Sequence, residues 1–269
     1  SGGAGMTARL GWALADGWTI ARRALLHWRM QPGPVIFGWL FPVLMMLMFG
    51  ALLGGAIEMP SGDSYYELLV PGIFALAMLF GLESTMTAVT TDVAKGVTDR
   101  FRSLPMSSAA VVLGRCIADL LDSAVTLVVL SGAGLALGWR WHGSVIEAVA
   151  AFGLLLLLRF ALLWIGIFIG LTVKNAQSIV AVQIVVWPIG FLSSAFVATS
   201  TMAAWLGTIA QWNPLSATAT AARSLFGNPD PSAASWIGDH ALEAAIIGPL
   251  LLTAIFLPLS AARFRRLSR

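Results

Sequence analysis

Long apolar runs alternate along this chain with short segments where arginine, glycine, proline and hydroxyl residues collect. A helix needs about 20 consecutive apolar residues to cross a bilayer core. Six runs meet that requirement: Val35–Ile57, Leu68–Thr91, Val111–Leu137, Val145–Thr172, Ile179–Ser200 and Ala244–Ala262. The fourth is longer than the core demands, so it predicts a tilted helix or one with an interfacial end. The pattern therefore predicts an all-α, polytopic membrane protein of six transmembrane helices. An even count puts both termini on one side.

Composition supports this reading. The chain is 58% hydrophobic and 11% charged, against about 45–50% and about 25% in soluble domains, which excludes a soluble globular domain. The distribution of charge then orients the spans, because Lys and Arg are retained on the cytoplasmic side. With the termini inside, the inner segments hold thirteen basic residues: Arg9, Arg22, Arg23, Arg29, Lys95, Arg100, Arg102, Arg115, Lys174, Arg263, Arg265, Arg266 and Arg269. The outer segments hold two, Arg140 and Arg223, and Arg159 remains within the membrane. Both termini are expected in the cytoplasm, and no cleavable signal peptide is expected because the arginine-containing N-terminal segment has no apolar core of its own.

Two connections carry structure of their own. Residues Gly11–Met30 mix Trp12, Leu14, Trp18, Leu25, Leu26 and Trp28 with Arg22, Arg23 and Arg29, which suits an amphipathic helix lying in the interface over residues 1–33. The Gln31-Pro32-Gly33-Pro34 segment then leads into the first span. The outer connection, 201–243, is apolar from Met202 to Phe226 but interrupted at Asn213-Pro214, so it reads as two short helices dipping into the membrane or the protein. A seventh crossing there would put the arginine-rich C-terminus outside.

Charged residues at membrane depth are candidates for function, since burying one costs at least about 2.5–3.5 kcal/mol. Glu83 in the second span and Arg159 in the fourth are expected either to pair with each other or, for Glu83, to line a pathway and meet a cationic substrate. Asp119 and Asp122 share a face near the cytoplasmic end of the third span and are expected to face an inner vestibule or neighbouring helix ends. His27, His142 and His240 are too scattered for a metal site, and the single Cys116 reads as a small buried residue. Gly50, Gly54, Gly55, Gly132, Gly134 and Gly138 offer small surfaces for close helix contact. Trp12, Trp18, Trp28, Trp139, Trp141, Trp205, Trp212 and Trp236 fall at expected interfaces and read as an aromatic belt.

Leu69-Val70-Pro71-Gly72-Ile73, Phe80-Gly81, Asp92, Gly96, the run from Asp99 through Arg100, Phe101, Arg102 and Leu104 to Ser107, and Gly114-Arg115 together resemble the ABC type-2 permease superfamily, in its daunorubicin-resistance branch. Trp212-Asn213-Pro214-Leu215 with Arg223 and Gly227 is similar to the same family's outer signature. The resemblance spans nearly the whole chain as one permease domain, 1–269. It implies a bacterial inner-membrane exporter subunit that works as a dimer with a second copy or a paralogue, driven by a separate ABC ATPase subunit.

The resemblance also places a coupling helix in the 92–107 loop, where Arg100, Phe101, Arg102 and Leu104 would enter a cleft on the ATPase. The plainer reading of that loop is a basic segment serving topology and lipid phosphates. No cofactor is expected on this chain. ATP and Mg would sit on the partner, since neither Lys95 nor Lys174 stands in the Gly-x-x-x-x-Gly-Lys-Ser/Thr loop that cradles phosphates. The implied substrate is a hydrophobic or amphipathic drug, natural product or lipid. A polysaccharide or glycolipid exporter, a secondary transporter and an intramembrane enzyme are the alternatives, and nothing in the pattern calls for a nucleic-acid partner. Neither an internal repeat nor a carboxylate relay supports the secondary transporter.

The charge distribution makes a topological prediction. Cysteines introduced at Asp63 and Pro231 should react with a membrane-impermeant reagent from outside, and those at Arg100 and Arg266 should not. Outside labelling at Arg100 would reverse the orientation.

Overall fold

The computed structural model describes residues 32–59, 62–95, 108–173, 175–231 and 234–267, together with Arg22, Leu26, Arg29 and Met30. Most of the expected interfacial helix lies outside the described residues, as do Arg100, Phe101, Arg102 and Leu104. Among the described residues the fold is all-helical. Its order is α1 (Pro32–Leu53), α2 (Tyr65–Ala94), α3 (Ser108–Leu137), α4 (Val145–Thr172), α5 (Ala176–Phe191), a 3₁₀ turn (Thr199–Thr201), α6 (Ala204–Trp212), α7 (Pro214–Phe226), α8 (Trp236–Asp239) and α9 (Ala241–Leu267).

Five of these helices, α1, α2, α3, α4 and α9, are long and apolar enough to cross a membrane. The centre of the bundle is α2 packed against α4. The most apolar stretch of α2 is 78% buried and that of α4 67%, against 22% for α1 and α3 and 17% for α9. The last three therefore form the rim and carry many of the exposed apolar side chains. Local chemistry starts the central helices: Ser64 caps α2 by accepting from the Tyr66 amide, and Ser144 with Glu147 forms a capping box on α4.

Glycine sets the spacing of the central pair. A Cβ on Gly166 would lie 2.8 Å from the Leu82 carbonyl oxygen, and one on Gly170 would lie 2.8 Å from the Val89 side chain. The Gly166-Ile-Phe-Ile-Gly170 spacing puts both on one face of α4 and lets α2 approach closely. Of the glycines expected to pack, Gly50 meets Tyr66, and Gly134 meets Val70 and Trp139. Gly55 and Gly132 face open space. Gly138, at φ +113°, instead serves to leave α3.

The fifth apolar run departs from expectation. Rather than continuing from Ile179 to Ser200, α5 stops at Phe191, and its 16 residues span only about 24 Å. Its last turn is closed by side chains that compete with a helix. Ser193 donates to the Gly190 carbonyl (2.6 Å), and Asn213 Nδ2 donates to the carbonyls of Ile189 (2.7 Å) and Leu192 (2.8 Å). The chain then turns back through α6 and α7, joined at Asn213. Helix α7 is buried from Leu215 to Arg223 and packs on α2, α4 and α9.

Trp139 also departs from expectation. It is buried to 2% exposure rather than placed in an interfacial belt. It packs against Phe74 and Phe226 at ring distances of 5.6 and 5.2 Å and donates from Nε1 to Asn228 Oδ1 (2.9 Å). Trp205, Trp212 and Trp236 are exposed, as a belt requires.

Replacing Gly166 by Leu should force α2 and α4 apart and destabilise the folded chain by about 1–3 kcal/mol. Gly153→Leu, at a position facing open space, should change stability by no more than about 0.5 kcal/mol. Thermal unfolding of the two purified variants distinguishes them.

Candidate functional site

Arg159 sits near the middle of α4 with 2% of its surface exposed, where an unpaired cation would be costly. Its guanidinium is held by two neighbouring helices. Nη2 donates to Thr85 Oγ1 on α2 (2.7 Å), and Nε donates to Ser123 Oγ on α3 (2.9 Å). Thr85 in turn donates to Asp119 Oδ2 (2.7 Å), and Ser123 donates to the Asp119 carbonyl (2.8 Å). The counter-charge is therefore Asp119, 3.7 Å from Nη2, and Asp122 lies near enough to add to the field around the arginine. Gly81 makes the space: a Cβ there would strike the Arg159 side chain.

This corrects two expectations. Glu83 does not pair with Arg159, because Glu83 and Thr85 are two residues apart on α2 and so point about 200° apart around the helix. Thr85 faces α3 and α4. Glu83 faces α5, where its Oε2 accepts from Gln183 Nε2 at 3.4 Å. Asp119 is likewise not turned to a vestibule or to helix ends, being spent on Arg159. Toward the end of α2 and the start of α3, Arg115 of α3 and Asp92 of α2 form an ion pair of 3.2 Å that ties together the two helices flanking residues 96–107.

The opposite end of the bundle, near the start of α2, is locked by a second buried arginine. Arg223 of α7, counted in the sequence as a loop cation, is fully buried. It donates from Nε to the Leu68 carbonyl (2.9 Å) and from Nη2 to the Ser194 carbonyl (2.7 Å), and Nη1 pairs with Asp230 (3.1 Å). One side chain thus joins α2, the irregular segment after α5, α7 and the loop beyond it. Asn213 accepts from the Leu215 amide through Oδ1 (3.0 Å) while its Nδ2 closes α5, and Pro214 occupies the first turn of α7. Asn213, Pro214 and Arg223 hold the hairpin in place.

Residues 17–226 match the pattern of the ABC-2 type transporter family. The chain belongs to that family. It is 32% identical, over 90% of its own length and 83% of the relative's, to the daunorubicin resistance ABC transporter permease protein DrrB1 of Streptomyces coeruleorubidus. It is also 23% identical, over 77% of its length and 75% of the relative's, to a probable doxorubicin resistance ABC transporter permease protein, DrrC, of Mycobacterium tuberculosis, in two strains. As an ABC-2 permease the chain is a membrane transport component and not an ATPase. Both arginine anchors fall inside the family-matched region.

Sequence reasoning singled out Arg159, Asp119 and Arg223 without their partners. It passed over Thr85, Ser123, Gln183 and the Gly166–Gly170 pair. The glycine spacing was readable, whereas the hydroxyl residues are unremarkable until three helices bring them together.

Arg159→Met and Asp119→Leu should each destabilise the permease by about 3–5 kcal/mol, because each leaves an uncompensated charge. The double variant should lose less than the sum. Glu83→Gln combined with Arg159→Met should instead be additive. Thermal midpoints and the monodisperse fraction of all five variants test both statements.

Proposed function

We propose that this permease exports a hydrophobic or amphipathic compound, a drug, natural product or lipid, from the cytoplasm or the inner leaflet. The observation that carries the reading is the similarity, along 90% of the chain, to a permease named for daunorubicin resistance. ATP and Mg bind on a separate ABC ATPase subunit, and two permease copies or paralogues form the pathway. The chain crosses the bacterial inner membrane six times, the fifth crossing being α5 with its irregular continuation, and both termini face the cytoplasm. The N-terminal segment lies along the inner interface.

The loop between α2 and α3 is the site of coupling. Arg100, Phe101, Arg102 and Leu104 dock in the ATPase, and the Asp92–Arg115 ion pair makes the two helices behind the loop move as one lever. Packed interfaces of this kind transmit a push because they switch between discrete arrangements. The thirteen-to-two charge distribution supports placing this loop on the cytoplasmic side.

Phe101→Ala should weaken ATPase docking by about 2 kcal/mol, roughly thirtyfold, while membrane insertion stays intact. Asp63→Asn on the outer side should leave docking unchanged. Co-purification of the ATPase and drug-stimulated ATP hydrolysis are the readouts. Full complex formation with full transport in Phe101→Ala would place the anchor elsewhere.

A further inference from the structure

Between α6, α7 and α8 lies a small cavity whose wall is polar without being charged. Gln211 of α6, Ser216 and Thr220 of α7, and Ser194 and Ser235 beside them line it. Its volume is about 10 Å³, room for one water or one hydroxyl group. Thr220 is buried and Gln211 half-buried, and the side chain of neither makes a hydrogen bond to another described residue. Ser216 accepts from the Ser194 amide (2.9 Å) and keeps its own proton to donate. Polar groups in such a place need partners, and the group that enters has both to donate and to accept. Arg223 adds no counter-charge here, because its guanidinium is spent on Leu68, Ser194 and Asp230.

Aromatic rings flank the cavity. Trp212, the neighbour of Gln211, stacks on Trp236 (6.3 Å), and Trp236, the neighbour of Ser235, stacks on His240 (4.8 Å). Both indoles are exposed. Trp205, Ile209 and Trp212 follow one another at spacings of four and three residues and are all exposed, so α6 carries an apolar stripe beside the same place. Asp239, also exposed, follows Gly238 in the cavity wall. The other ionisable side chains between residues 199 and 240 are Arg223, Asp230 and His240. The surface around the cavity thus offers a carboxylate and no exposed lysine or arginine.

We propose that this corner of the hairpin binds the neutral sugar headgroup of a glycolipid. One ring hydroxyl enters the cavity, where Ser216 donates to it and Gln211 and Thr220 can both donate and accept. The C–H face of the pyranose lies on the indoles of Trp212 and Trp236, since weakly positive C–H groups are drawn to the negative face of an aromatic ring. Asp239 accepts from a further hydroxyl and repels phosphate headgroups by like charge. The apolar stripe of α6 favours a sugar carried on lipid over a free one, with Trp205 and Ile209 against the acyl chains. The proposal rests on the orientation given above, which turns the hairpin to the outer leaflet. The glycolipid is a resident of that leaflet and not the exported compound.

The test uses the full chain with its ATPase partner in phosphatidylcholine nanodiscs. Three photoactivatable diacylglycerol probes differ only in headgroup: a glucosyl group, a phosphoglycerol group, and none. The glucosyl probe should label the peptides containing α6 and α8 about tenfold more than either other probe, as one or two hydrogen bonds allow. Thr220→Val and Trp236→Ala should each remove most of that preference, whereas Thr220→Ser, which keeps the hydroxyl, should retain it. Labelling by the probe without a headgroup should stay as in wild type in all three, which separates recognition from folding. Asp239→Asn, at the surface, should raise labelling by the phosphoglycerol probe alone.

A glucosyl preference that is absent in wild type, or unchanged in Thr220→Val or in Trp236→Ala, overturns the site and leaves the cavity to water. Competition by free methyl glucoside as strong as that by unlabelled glucosyl lipid overturns the lipid assignment. Drug-stimulated ATP hydrolysis in the same nanodiscs reports separately on the exporter reading: its absence with the glucosyl preference intact counts against that reading, and its presence with the preference lost counts against the site.

Discussion

A guanidinium in the middle of a membrane helix has to be surrounded by partners, and in this permease the placement of Arg159 dictates how the three central helices meet. Its partners come from α2 and α3 and reach it only at one rotation of each helix. Gly81 removes the side chain that would block the approach, and Gly166 and Gly170 draw α2 and α4 close enough for Thr85 to bridge arginine and aspartate. A buried ion pair of this kind adds little net stability over an apolar replacement. What it provides is a large penalty for any arrangement that separates the partners. The network thus specifies register more than it adds strength.

The same constraint explains the end of the bundle near the start of α2. Buried backbone that leaves a helix needs partners for its polar groups, and the segment after α5 does leave the helix. Arg223 and Asn213 answer that requirement: the arginine takes the carbonyls of Ser194 and Leu68, and the asparagine takes those of Ile189 and Leu192. Helix α7 can then be buried against the bundle and becomes part of the core, while α6 keeps Trp205, Ile209 and Trp212 exposed.

Helix α2 connects these features. At its first turns it accepts the Arg223 clamp, at its middle it joins the Arg159 network, and near its last turn Asp92 ties it to α3. The remaining face carries the exposed Ser84, Thr87 and Thr91, with Glu83 beside them bonded to Gln183 of α5.

Hydropathy by itself determined the membrane class, the all-helical fold and five spans to within a few residues, because lipid imposes length and apolarity on every crossing. Local chemistry also made the hairpin legible: the Asn213-Pro214 interruption read correctly as a junction between two short helices. Depth along the helix axis was readable for Glu83, Arg159 and Asp119, but the face of each helix was not, so Glu83 and Arg159 were matched by depth alone. The two-residue offset between Glu83 and Thr85 decided which of them meets the arginine. The end of α5 at Phe191, the burial of Trp139 and the interior position of Arg223 were decided by tertiary contacts, since each depends on side chains more than twenty residues away in the chain. An apolar or basic residue has the same local pattern whether it faces lipid, water or another helix, and only the packed bundle distinguishes them.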